Sequence, residues 1–322
     1  MKEYFKLLGW QSCLLVLIGM LMLRTQIIIP FYQMYFPFTI IPFVDFLAFT
    51  FGMVLMMASF NVICSYYDTQ MSDIIAKKKP TKAEELEQKN KYRMFWVLAI
   101  LALAMEGFVA IKDNAWQVLG IGIVFELGAY FYALKYKREY LIGNIVISLL
   151  FAIIVFMPML LEVFAFKNYQ SEFPLRIPVV GIQSVMLVFV YFAAFVFLIT
   201  FIRDLTLDLA NLEDNKQKDL ITFPVKEGVK ATKILLNAVS VLFIALNVWF
   251  VYQFYEVIDM VHIVFILVLN IAFPMVYYLV NLNRTKLQMQ YVMLYQYLGM
   301  VYISLLLTIL FAGDIFKINA II

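Results

Sequence analysis

Nine stretches of mostly apolar residues run the length of the chain, each ended by a polar or charged break: Trp10–Pro30, Thr39–Ser65, Met94–Ile111, Ala115–Leu134, Leu141–Leu161, Gly181–Ile202, Ile234–Tyr255, Val261–Leu282 and Tyr291–Ala312. A helix needs about 20 residues to cross roughly 30 Å of hydrocarbon. In lipid every backbone polar group must be satisfied within its segment, which at these lengths leaves only the helix. The pattern predicts an all-α polytopic membrane protein, a bundle of nine transmembrane helices forming one domain over residues 1–322. The first stretch continues to about Ile29 and lacks a small-residue cleavage site before the next, so it reads as a span and not as a cleavable signal peptide.

The breaks between spans carry their own signal. With the N-terminus in the cytoplasm, 20 of the 25 Lys and Arg residues fall on cytoplasmic segments. These are Lys2 and Lys6, the run from Lys77 to Arg93, Lys135 with Lys137 and Arg138, the run from Arg203 to Lys233, and Arg284 with Lys286. The opposite side receives Lys112, Lys167, Arg176 and Lys317, while Arg24 falls within the first span. That alternation follows the positive-inside rule at every loop. It predicts a C-terminus on the side opposite the N-terminus, as for a protein of a bacterial inner membrane. Two cytoplasmic loops, 66–93 and 203–233, are long and acidic, and are expected to cap an active site. Within them Ala83–Asn90 reads as a short polar helix, and Pro80 and Pro224 mark breaks. Residues Glu162–Val180, with Pro174 and Pro178, read as an irregular connector on the other side.

Composition agrees and narrows the chemistry. Hydrophobic residues make up 64% of the chain and charged residues 15%, with mean hydropathy +0.88, which excludes a soluble globular domain. A net charge of +3 is too small to suggest a nucleic-acid partner. Two cysteines far apart and a single histidine, His262, argue against a zinc site or a Cys–His catalytic pair.

Carboxylates gather where the second and sixth spans end. In the segment NVICSYYDTQMSD, Asn61, Cys64 and Asp68 share one helical face, extended by Ser72, with Asp73 beside it. In FIRDLTLDLANLEDNKQKD, Asp204 and Asp208 form an i, i+4 pair continued by Asn211 and then Asp214. Two such clusters at one bilayer face suit Mg²⁺, which takes oxygen ligands and commonly joins protein carboxylates to substrate phosphates. Lys77, Lys78, Lys79, Lys137, Arg138 and Arg203 are candidates to neutralise the remaining phosphate charge. Charged residues at helix ends are also ordinary features of membrane proteins. Arg24, Glu106 and Glu126 sit nearer the apolar region, where a functional charge and a helix-to-helix ion pair are both open readings.

In their order along the chain, these motifs resemble the UbiA-type superfamily of intramembrane prenyltransferases. That family has nine helices and two aspartate-rich motifs, on the loops after helices two and six. The segment CSYYDTQMSDIIAKKKP resembles the first motif, NDxxDxxxD followed by a Lys-Pro stretch. Asp68 falls on its middle aspartate, and Asp73 lies one residue late for the last, where strict spacing finds Ser72. DLTLDLANLEDNKQKDLITFPV resembles the second motif through Asp204 and Asp208, with Asp214 in the third acidic position and Thr222 and Pro224 following. YALKYKREYLIGN is similar to the family loop after helix four, with Tyr132, Lys137, Arg138, Gly143 and Asn144 on its positions. The chain also departs from the pattern. The Asn-Asp pair of the first motif is Cys64-Ser65 here, and the arginine and asparagine common near the first helix fall on Gly9 and Ser12.

The resemblance implies transfer of an isoprenoid chain from a prenyl diphosphate to a hydrophobic acceptor, aromatic or lipid, within the bilayer. It implies Mg²⁺ held by Asp68, Asp73, Asp204, Asp208 and Asp214, with Asp68, Asp204 and Asp208 central to catalysis. Lys79, Tyr132, Lys137, Arg138 and Arg203 would bind the diphosphate. Two further readings stay open: cyclisation of the prenyl chain on itself, as in UbiA-type terpene cyclases, and an inactive relative that only binds a prenyl lipid.

Overall fold

A computed structural model describes residues 2–34, 39–75, 80–172, 179–218, 220–256 and 260–312. Among them are nine helices long and apolar enough to cross a membrane: Trp10–Gln33, Phe43–Asp73, Lys82–Lys112, Trp116–Leu134, Ile142–Lys167, Gln183–Ala210, Phe223–Phe254, Met260–Arg284 and Gln288–Leu310. They are numbered here as spans one to nine. The protein is a multi-pass integral membrane protein.

The long loops expected from the sequence are largely helix. The second helix runs Phe43–Ile75 and the third Lys82–Lys112, so residues 66–75 and 82–93 are helical extensions. Ala83–Asn90, expected as a separate polar helix, is the opening of the third. Thr81 starts that helix with a capping box: its Oγ accepts from Glu84 N at 3.4 Å, while Glu84 Oε2 accepts from Thr81 N at 2.8 Å. Each bond satisfies an amide that the first turn would leave orphaned. In 203–233 the sixth helix continues to Ala210, a short helix occupies Leu212–Gln217, and the seventh begins at Phe223 with Pro224 in its first turn. The fifth helix extends to Glu172, through much of the expected connector. Apolarity marks where a helix is buried in lipid and says nothing of where its hydrogen-bond ladder stops.

The first and eighth spans are each widened into a π-helical stretch, Arg24–Ile28 and Val268–Val276. Pro30 follows the first and Pro274 lies inside the second. Proline lacks an amide hydrogen and crowds the carbonyl four residues back, and a wider turn relieves that conflict without breaking the helix. These interruptions are not evident from hydropathy.

Two compact units emerge: one comprising Met1–Leu21, Thr39–Lys137 and Met157–Arg176, the other Met22–Phe38, Arg138–Phe156 and Ile177–Ile322. In the first, spans two and three form the most extensive helix pair. Asp45 in the first turn of span two meets Lys112 in the last turn of span three at 2.7 Å. Each charge also suits the dipole of its own helix end. At the other end Gly9, with φ of +63°, lets the chain pass against span two. A Cβ there would lie 2.4 Å from Asn61 Nδ2, which donates to Leu8 O and Ser12 Oγ at 3.0 Å each.

In the second unit the sixth span packs against spans seven and nine. Span seven buries Leu236, Ser240, Phe243, Asn247, Phe250 and Phe254, alternating four- and three-residue steps that make one continuous seam. Phe243 meets Phe195 edge-on at 4.6 Å, and Phe250 stacks on Tyr191 at 3.7 Å. The Tyr191 hydroxyl donates to Asn247 Oδ1 at 2.8 Å. Residues Glu139–Tyr140, after span four, pair in parallel with Ile221–Thr222, before span seven.

Candidate functional site

The strongest constellation lies where the sixth span ends. From Phe201 to Asn211 burial follows a helical stripe: Ile202, Leu205, Thr206 and Leu209 face the packing, while Arg203, Asp204, Leu207, Asp208 and Asn211 are partly exposed. The i, i+4 spacing therefore delivers Asp204 and Asp208 to one accessible face. Span five supplies their common partner. Asn144 Nδ2 donates to Asp204 Oδ2 at 2.8 Å and to Asp208 Oδ2 at 3.0 Å. Both hydrogens of one amide hold two carboxylates that would otherwise repel. Asn144 is itself 2% exposed, so its position is fixed by packing. Sequence reasoning matched Asn144 to a family loop and assigned it no role; the clue lay in that match.

Arg203 points elsewhere. Its Nη2 donates to Tyr295 Oη at 2.7 Å, and its guanidinium lies 4.2 Å over the same ring. Asp214 stands exposed on the short helix Leu212–Gln217. Thr222 is 3% exposed, and its hydroxyl has no hydrogen-bond partner among the described residues. Next to its strand partner, the Tyr140 hydroxyl donates to Glu227 Oε1 at 3.0 Å. Loss of water, and then that carboxylate, raise the Tyr140 pKa above its usual value. Arg138 lies in the turn Tyr136–Arg138 that leads into the strand, partly exposed.

In the other unit Asp68 pairs with Lys137 at 2.6 Å. Asp73 diverges from it: five residues on, it faces span three, where it accepts from Gln88 Nε2 at 2.7 Å. Tyr132 is 2% exposed and its ring stacks on Phe60 at 5.6 Å, a packing position. Cys64 packs against the apolar cluster of Val62, Ile63, Phe95, Ala99 and Ala133, and Ser65 is half-buried. Lys77, Lys78 and Lys79 lie outside the described residues. Among the described residues, no three His, Cys, Asp or Glu side chains are grouped to hold a metal ion. The donors at Asp204 and Asp208 nonetheless suit Mg²⁺, which is typically held by one or two carboxylates together with substrate phosphates.

The model of the UbiA prenyltransferase family matches residues 31–298. Digeranylgeranylglyceryl phosphate synthase of Methanosphaera stadtmanae is 24% identical over 240 residues, covering 74% of this chain and 78% of the relative. A solved structure reported for digeranylgeranylglyceryl phosphate synthase in membranes superposes with TM-score 0.61 at 20% identity, over 97% of this chain and 98% of that one. A UbiA homologue from Archaeoglobus fulgidus, bound to DMAPP and Mg²⁺, superposes with TM-score 0.56 at 15% identity, over 98% and 99%.

Proposed function

The chain belongs to the UbiA prenyltransferase family, and on that premise we propose that this intramembrane prenyltransferase uses a glycerol-phosphate lipid as acceptor and Mg²⁺ as its metal. The acceptor follows the synthase to which the chain is similar. The observation that carries the metal assignment is the paired presentation of Asp204 and Asp208 by Asn144.

Asp204 and Asp208 would hold the metal, and Asn144 keeps both carboxylates turned to one place. Asp68, Asp73 and Asp214 take their proposed metal role, and Lys79, Lys137, Arg138, Arg203 and Tyr132 their proposed diphosphate role, from motif order. When bound, Mg²⁺ supplies positive charge that makes the diphosphate a better leaving group. In the transfer, the bond from C1 of the prenyl chain to the diphosphate oxygen breaks and its electron pair leaves with diphosphate. The acceptor hydroxyl oxygen bonds to C1 and gives up its proton to the departing diphosphate. Lys137 and Arg138 would balance charge on the leaving group, and the surrounding apolar helices exclude water that would otherwise compete as acceptor. The charge pattern of the loops supports the N-terminus and the site on the cytoplasmic side.

The test is purified protein in lipid given a C20 prenyl diphosphate with a prenylglyceryl phosphate, an aromatic hydroxy acid, or no acceptor, each across a Mg²⁺ titration. Metal-dependent ether formation on the glyceryl phosphate is expected. Transfer to the aromatic acid alone overturns the acceptor, a cyclised hydrocarbon without acceptor indicates cyclase chemistry, and full turnover without divalent metal overturns the metal.

A further inference from the structure

Spans two, three and four enclose two more carboxyl groups. Glu106 of span three is 0% exposed, and neither of its carboxyl oxygens has a hydrogen-bond partner among the described residues. Glu126 of span four is 5% exposed. The two side chains bear electrostatically on one another. Glycines make the space they occupy. A Cβ on Gly122, one turn before Glu126, would fall 2.2 Å from Glu106 Oε2, and one on Gly52 of span two would fall 3.1 Å from Glu106 Cγ. Glu106 therefore points into a recess floored by Gly122 and walled by Met56. This is built accommodation for a carboxyl group in a place that offers it no donor.

An ionised carboxylate without water, donor or counter-charge is among the costliest groups a protein interior can hold, and such a group takes up a proton instead. The charges that might compensate it are engaged elsewhere. Asp45 and Lys112, at one end of spans two and three, pair with each other at 2.7 Å. Asp68, toward the far end of span two, and Lys137, in the turn after span four, pair at 2.6 Å. From span one, the Cys13 thiol donates to Leu8 O and Val54 O.

Ser59 of span two supplies an independent constraint. Its Oγ lies 2.7 Å from Met56 O and 2.8 and 3.0 Å from the two carboxyl oxygens of Glu126. A hydroxyl has one proton to give. If that proton goes to Met56 O, the contact with Glu126 requires a proton on the carboxyl. If it goes to Glu126, that carboxyl accepts it in either protonation state, and wherever Glu126 is ionised Glu106 beside it must be neutral. Ca²⁺ would take six to eight oxygens, more than two carboxyls and one hydroxyl supply; a proton needs only one.

We propose that Glu106 and Glu126 form a proton-binding site inside spans two to four, with Glu106 holding a proton at neutral pH. The site is separate from Asp68 of the first acidic motif: Ser59, which touches Glu126, lies nine residues before Asp68 on one helix, about 14 Å along it. Packing of the three spans then depends on that proton, since its loss leaves negative charge between them.

Infrared spectra of the protein in lipid at neutral pH test this. The wild type should show a protonated-carboxyl C=O band that exchanges slowly in D₂O and is unchanged when sodium replaces choline in the buffer. Glu106→Gln, which keeps the shape, should lose that band, while Glu126→Gln should keep the band and shift it. Raising the pH should lower the thermal midpoint of the wild type more than that of Glu106→Gln. No slowly exchanging acid band in the wild type overturns the proposal, whatever the variants do. So does an identical spectrum for a folded Glu106→Gln, and so does a wild-type band abolished by sodium, which would make the occupant a metal ion.

Discussion

Asn144 gives both amide hydrogens to carboxylates, so Asp204 and Asp208 are held together before any metal arrives. Residues that orient metal ligands commonly contribute 10- to 100-fold in metal affinity. Asn144→Ala should therefore raise the Mg²⁺ concentration for half-maximal turnover by about 10- to 100-fold, with much of the rate restored at high Mg²⁺. Asp204→Ala or Asp208→Ala removes a proposed ligand and should abolish most turnover at any Mg²⁺ concentration; diphosphate release over a titration separates the two behaviours. The altered first motif divides in the same way. Ser65→Asp adds a carboxylate at a half-buried position and should lower the Mg²⁺ requirement. Cys64→Asn turns an amide toward Phe95, Ala99 and Ala133, and an unpaired buried amide costs about 1–3 kcal/mol. The double variant should thus lose thermal stability relative to Ser65→Asp alone. From sequence, Asp204 and Asp208 were legible because i, i+4 spacing is a property of one helix. The bridging role of Asn144 was not, because it depends on which helix lies opposite. Asp73 shows the same limit: closeness in sequence to Asp68 does not carry over to its partner, Gln88 on span three.

Helix number and order were readable because hydrocarbon thickness sets a length that composition reveals directly. Helix ends were not, since the ladder continues through polar sequence wherever the local chemistry permits. The capping box at Thr81 is one such local signal, and Thr81→Ala should cost about 1 kcal/mol by thermal unfolding in detergent. The seam of span seven permits a sharper comparison. Phe243→Ala leaves a void where Phe195 packs, a change worth about 3–5 kcal/mol in protein cores. Tyr191→Phe keeps the ring and loses the hydroxyl's bonds to Asn247 and Asn270, and interhelical bonds in membranes average about 0.6 kcal/mol each. Unfolding measured on both variants should rank packing well above hydrogen bonding in this seam. Equal losses would show that the polar contact, and not the aromatic one, fixes the pairing of spans six and seven.

At the scale of the molecule, the charge pattern predicts that the segment around Lys216 faces the cytoplasm and that around Lys167 the opposite side. Membrane-impermeant thiol labelling of Lys216→Cys and Lys167→Cys, with the native cysteines replaced, should modify each from one side only, and from different sides. Labelling of both from the same side would undo the nine-span topology. The short parallel pairing of Glu139–Tyr140 with Ile221–Thr222 adds a constraint of timing. Parallel neighbours cannot be joined by a tight turn, and here the intervening chain is two full membrane crossings, spans five and six. As a ribosome delivers the protein, the segment carrying Arg138 must wait until both crossings have been threaded before its strand partner exists. Nascent chains arrested short of Ile221 should keep Glu139–Tyr140 open to protease, and chains only slightly longer should protect it.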